Sequence, residues 1–240
     1  MFERPHHQRI AQVLESLDGP LLLANGCLFG GGTAMALRFG EYRESVNIDF
    51  LVSNVAGYRS LRHATTGPRG VNALVRDGAV PLVQAREVRA DQYGVRSALR
   101  VNGTEIKFEI VLEARIELAA PTAEDKLCGI ATLSPLDMAT SKLLANCDRW
   151  SDDGVFSRDL IDLAMMDPKP AMLRQAVDKA QQAYGDSVLA DLAKAINRLQ
   201  TRVGWLERCS KALAMDMPRA LLWQKVHALR RVLPKSPPVD

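Results

Sequence analysis

Hydrophobic positions recur along the chain with two periods, and the change from one to the other organises it. Ile10, Val13, Leu14 and Leu17 fall at helical spacing and predict an amphipathic helix over residues 6–17, stopped by Asp18-Gly19-Pro20. Leu21-Leu22-Leu23-Ala24 is too short an apolar run for its period to separate a buried strand from a helix end. From residue 47 the period is two. Ile48, Phe50 and Val52 alternate with Asn47, Asp49 and Leu51, which predicts a strand with the first set facing a core. Between Val52 and Asp91 the pattern weakens, so residues 63–70 read as an exposed loop, and 71–75 and 80–83 as short strands. Residues 95–101 and 106–111 then read as a hairpin about Asn102-Gly103. Ile106, Phe108 and Ile110 point inward, while Lys107, Glu109 and Val111 point outward.

Past Pro121 the pattern turns helical. Leu136, Ala139, Leu143 and Cys147 stripe a helix over residues 135–147, with Asp137 and Lys142 off that stripe. A second helix is predicted over 155–166, with Phe156, Leu160 and Leu163 inward and Asp159 and Asp162 on another face. Further helices are predicted over 171–184, 187–213 and 218–233, separated by Gly185-Asp186 and Asp216-Met217-Pro218; residues 234–238 read as a loose tail. The expected fold is α+β: a small mixed β-sheet core flanked by helices over residues 1–125, and an all-helical C-terminal half over 126–240.

Composition narrows the classes. An apolar share of 47% is ample for a core. Lys plus Arg number 31 against 28 Asp plus Glu, so no global nucleic-acid signature exists and any RNA surface must be local. Arg230, Arg231 and Lys235 form only a small basic end. The four cysteines lack Cys-x-x-Cys spacing and no histidine array accompanies them, which argues against zinc and for reduced thiols. The start of the chain does not resemble a secretory signal, and no apolar run approaches the ~18 residues of a membrane span. A cytoplasmic protein with no membrane partner is expected. His6 and His7 lie near the terminus and are expected to have no role; Trp150, Trp205 and Trp223 are expected to be packing anchors.

The candidate chemistry is concentrated at Phe29-Gly30-Gly31-Gly32-Thr33, a glycine turn opening a short helix just before the Asp49 strand. Glycines at a helix N-terminus let backbone N–H groups approach a phosphate closely. A carboxylate beside such a cradle suits a divalent metal held against a nucleoside triphosphate. Glu109 is a second carboxylate, on a strand whose outer face is expected to adjoin that of Asp49.

Gly31-Gly32-Thr33, Gly40-Glu41-Tyr42-Arg43-Glu44-Ser45 and Asn47-Ile48-Asp49-Phe50-Leu51 together resemble the AbiEii/AbiGii nucleotidyltransferase toxin family, of the polymerase-beta-like superfamily that includes the MenT toxins. Further matches follow in order at Ile106-Lys107-Phe108-Glu109-Ile110-Val111, Lys142-Leu143-Leu144-Ala145-Asn146, Asp148-Arg149-Trp150 and Ser157-Arg158-Asp159-Leu160-Ile161-Asp162. The resemblance implies a transferase with two bound Mg²⁺ ions that moves NMP from an NTP to the 3′ acceptor end of tRNA, blocking translation, and that a cognate antitoxin restrains. It implies phosphate contacts for Gly31, Gly32 and Thr33, and a loop or phosphate role for Arg43 and Ser45. Asp49, Glu109 and Asn47 would hold metal. Lys142 would contact the triphosphate, with Asp137 in the same motif, and Asp159 and Asp162 would orient Lys142 or the base.

One position departs from the family pattern: Asn47 stands where it has Asp. An introduced change, a natural reduction or loss of activity, and sufficiency of Asp49 with Glu109 are all compatible with it. The competing readings are a catalytically silent protein of the same fold that binds RNA or a protein partner, and a transferase acting on protein or small-molecule hydroxyls.

Overall fold

In the computed structural model, which describes residues 2–234, the chain divides into two compact units, Met1–Met138 and Ala139–Asp240. Lys235 and the rest of the expected tail lie outside the described residues.

The first unit opens with α1, Pro5–Ser16, where proline suits a helix start because the N–H it lacks has no intrahelical partner there. Asp18 caps α2, Gly19–Ala24, by accepting the Leu21 N–H at 2.9 Å. The same Asp-Gly-Pro that ends one helix therefore begins the next, and the ambiguous leucine run is helical. Then follow β1, Cys27–Gly30; α3, Gly31–Arg38; β2, Ile48–Val52; and α4, Val55–Thr66. A 3₁₀ turn, Gly70–Leu74, leads to β3, Val83–Ala90; β4, Gly94–Val101; and β5, Thr104–Leu112. A short ribbon of β6, Lys126–Leu127, and β7, Ile130–Ala131, closes the run of strands.

The main sheet has the order β1-β2-β5-β4-β3, with β2 and β5 parallel and the other pairs antiparallel. Its inner face buries Ile48, Phe50, Leu99, Ile106, Phe108 and Ile110, and Phe50 packs between Phe29 and Phe108 at ring separations of 5.6 and 5.7 Å. The hairpin turns at Asn102 and Gly103, both left-handed with φ of 48° and 79°, as a two-residue turn matched to strand twist requires.

Three expectations in this unit are corrected. Residues 63–66 belong to α4, not to a loop. Asn54 caps that helix, accepting the Gly57 N–H at 2.6 Å, and only Tyr58, Leu61 and Thr65 mark its buried face besides Gly57. So sparse an apolar stripe leaves little period to read. Residues 71–75 form a 3₁₀ turn whose Val71 and Leu74 are buried, and Val80 is exposed outside any strand. β3 is an edge strand that mixes Gln, Arg and Glu with Val and Ala and carries register shifts, so it shows no clean alternation.

The helices of the C-terminal half are α5, Pro135–Arg149; α6, Arg158–Met165; α7, Pro170–Tyr184; α8, Ser187–Thr201; α9, Trp205–Ala212; and α10, Arg219–Ala228. Among the described residues of the second unit there is no strand. Phe156 and Ser157 are both left-handed, so α6 starts three residues later than its apolar pattern suggests. The helix expected over 187–213 is broken at Gly204, whose φ of 71° lies outside the helical region. Trp205 is buried as an anchor, its indole N–H donating to Ser157 Oγ at 2.9 Å. Trp223 instead is 41% exposed and stacks on His227 with ring centroids 4.9 Å apart. Among the described residues no helix is long and apolar enough to cross a membrane, and the four cysteines are free thiols.

Candidate functional site

β1 ends at Gly30 and the chain turns at once into α3. Gly31 makes that turn with φ of 67°, and a Cβ there would stand 2.7 Å from Asp49 Oδ2. Glycine is thus required twice, for the backbone angle and for the carboxylate beside it. Gly31→Ala should lower stability by about 1–2 kcal/mol and weaken triphosphate binding further by displacing Asp49, measurable by thermal melting and calorimetry. At α3 the N-cap residue, Gly30, offers no side-chain cap, so the first-turn N–H groups keep their capacity for an external acceptor. The buried Arg43 guanidinium lies against Gly32, where a side chain would collide with it, and its Nη1 donates to the Glu44 carbonyl at 2.8 Å. A helix N-terminus and a guanidinium side by side attract an anion from two directions.

The sheet register explains why the carboxylates gather here. Asp49 pairs with Gly30 on one side and with Glu109 on the other. In-register neighbours on adjacent strands share a face about 5 Å apart, close enough to share an ion. Glu109 also receives Lys107 Nζ at 2.8 Å and Arg96 Nε at 3.5 Å. Asn47 is half-buried just ahead of β2, and its carbonyl accepts from the Thr33 hydroxyl at 2.5 Å. Thr33 Oγ1 also lies 2.8 Å from Ser45 Oγ, so fully buried Thr33 ties residues 45–47 to α3.

The remaining expected site residues are on α5 and α6. Asp137, fully buried in the first turn of α5, accepts the Ala119 N–H at 2.8 Å and receives no solvent. In the second unit Lys142 is 5% exposed and its Nζ lies 3.0 Å from Asp159 Oδ1 and 2.6 Å from Asp162 Oδ2. Arg149 completes the group with a two-point contact to Asp159, at 2.7 and 3.0 Å. Burial raises the Asp159 pKa, but the charges and hydrogen bonds of Lys142 and Arg149 outweigh it and hold the carboxyl well below its usual range. Position off the apolar stripe suggested exposure for Lys142; charge pairing between α5 and α6 keeps it buried instead.

Sequence reading missed His7. It is fully buried, with Nδ1 at 2.7 Å from Glu41 Oε1 and Nε2 accepting the Ser45 N–H at 3.1 Å. A signal existed: His7 stands three residues before Ile10 and seven before Leu14, on the buried stripe of α1.

The family model described as "Nucleotidyl transferase AbiEii toxin, Type IV TA system" matches residues 13–233. The chain is similar in fold to JHP933 from Helicobacter pylori, at 15% identity and a TM-score of 0.55, covering 97% of this chain and 95% of that one. It is also similar to a crystal structure of a proposed nucleotidyltransferase from H. pylori, at 14% identity and a TM-score of 0.52, covering 95% of this chain and 94% of that one. No curated protein matches the chain.

Proposed function

The chain belongs to the AbiEii nucleotidyltransferase toxin family, and from that premise we propose that it transfers a nucleoside monophosphate from an NTP to the 3′ acceptor end of tRNA. The observation that carries the reading is the in-register Asp49–Glu109 pair beside the glycine turn. A cognate antitoxin is the protein partner this family implies.

In the proposed reaction the terminal ribose hydroxyl gives up its proton to solvent and its oxygen attacks the α-phosphorus in line. A new P–O bond forms as the bond to the bridging α–β oxygen breaks, and pyrophosphate leaves with that electron pair. The first-turn N–H groups of α3 and the Arg43 guanidinium bind triphosphate oxygens and favour charge moving onto them. Asp49, Glu109 and the amide oxygen of Asn47 are hard oxygen donors suited to Mg²⁺, with two ions expected. Bound there, Mg²⁺ supplies Lewis acidity toward the attacking hydroxyl and the leaving group. Lys142 is assigned a triphosphate contact on the family motif alone, with Asp159 and Asp162 holding its ammonium in one place.

A silent protein of the same fold is favoured by two observations: Asn47 is neutral, and Glu109 is engaged by Lys107 and Arg96. The discriminating experiment mixes the purified chain with Mg²⁺, each α-labelled NTP and total tRNA. Label on tRNA is the expected result, and Asn47→Asp should raise the rate about 10–100-fold by restoring a charge close to the metal. Label on protein or a small molecule with tRNA untouched would favour the third reading. No label from the chain, with label from Asn47→Asp, would establish the silent one.

A further inference from the structure

His7 joins the N-terminus of α1 to the loop between α3 and β2, and its two ring nitrogens face partners of opposite kind. The Ser45 N–H is only a donor, so Nε2 must be the acceptor and carries no proton. Nδ1 faces the Glu41 carboxylate at 2.7 Å and therefore carries the hydrogen. The same carboxylate accepts the Glu3 and Arg4 N–H groups at 2.7 and 3.2 Å, closing the start of α1 onto the loop. From Ser45 the chain of contacts runs to Thr33 in the glycine-turn helix and from Thr33 to the Asn47 carbonyl, next to Asp49.

We propose that His7 is a positioning residue: as the neutral Nδ1–H tautomer it holds residues 43–47 against α3, and protonation at Nε2 releases that loop and with it the phosphate site. The consequence for ligand rests on the nucleotidyltransferase reading; the tautomer and the tie to Ser45 do not. A proton on Nε2 would point at the Ser45 N–H, setting donor against donor beside a fully buried imidazole. The charged groups facing the ring are Glu41 from the loop and Arg4 and His6 from its own end of the chain. Burial pushes the imidazole pKa down, the hydrogen bond and charge of Glu41 offset this only in part, and Arg4 and His6 lower it further. The folded pKa thus lies below the unfolded value of about 6.5, so the tie is intact above that pH and is lost as pH falls through the folded value.

Two substitutions separate the ring's roles. The amide oxygen of His7→Gln reaches the Nε2 position, accepting from Ser45 without titrating; His7→Asn reaches only the Nδ1 position. Nitrogen NMR should show His7 as the Nδ1–H tautomer at pH 7.5, with the Ser45 amide resonance following its titration in the wild type and not in His7→Gln. Calorimetry with inorganic tripolyphosphate and Mg²⁺, from pH 7.5 to about 5.0, should show a several-fold greater loss of affinity in the wild type than in His7→Gln. His7→Asn should bind weakly throughout. A protonated Nε2 at pH 7.5, or identical pH profiles for wild type and His7→Gln, overturns the proposal. Absence of tripolyphosphate binding in every protein, with the His7–Ser45 coupling present, overturns the nucleotide reading and leaves the positioning of the loop standing.

Discussion

Lys142→Met should destabilise the protein by about 3–5 kcal/mol, the cost of removing one partner from a buried ion pair. Asp162 is fully buried, and the Lys142 ammonium lies 2.6 Å from it. Asp159 keeps Arg149 after the substitution. Methionine preserves most of the aliphatic stem, which leaves packing largely intact. Urea denaturation followed by circular dichroism at pH 7 measures the effect. Asp162→Leu should be costly by itself, yet the double variant Lys142→Met/Asp162→Leu should be at least about 1 kcal/mol more stable than additivity requires, because the carboxylate closest to the lost ammonium goes with it. The wild type carries a matching pH signature. Its Asp159 carboxyl is held below the usual range, so that contribution is complete above the unfolded carboxylate pKa of about 3.9 and fades as pH falls below it. A cost under about 1 kcal/mol for Lys142→Met would mean these charges are solvated in solution.

Asp49→Asn should lower nucleotide transfer by about 10³-fold or more. With Asn47 already neutral, Glu109 would be left as the single charged side chain of the proposed metal-binding set, and each charge close to a divalent ion contributes several kcal/mol at an effective dielectric near 20. The fold should tolerate the change, because Asp49 lies on the face of β2 opposite buried Ile48 and Phe50, and asparagine preserves its shape. A melting temperature within a few degrees of wild type, together with lost label on tRNA, separates chemistry from folding. Retention of a tenth or more of the activity would remove Asp49 from the catalytic set.

Both predictions depend on features whose legibility in the sequence differed. β2 and the β4–β5 hairpin were readable because a half-buried strand writes its inner face at every second residue, and Asn102-Gly103 suits a left-handed turn. α4 and β3 were not readable, for opposite reasons: one buries few apolar residues, the other lies at an edge with charged side chains on it. Gly204 broke a predicted helix because a single glycine inside a helical pattern does not announce a left-handed angle.

The sequence by itself determined the local periods, the glycine turn, the outward aim of Asp49 and Glu109, and the motif order that marks the family. Those properties reside in neighbouring residues, where side-chain direction follows from backbone period alone. Tertiary structure decided the parallel pairing that sets Asp49 beside Glu109, the burial of Lys142 between two aspartates, and the placement of His7 against Ser45. Each of these joins segments distant along the chain, and a polar side chain carries no mark of its burial until the opposite charge or hydrogen-bond partner arrives from elsewhere.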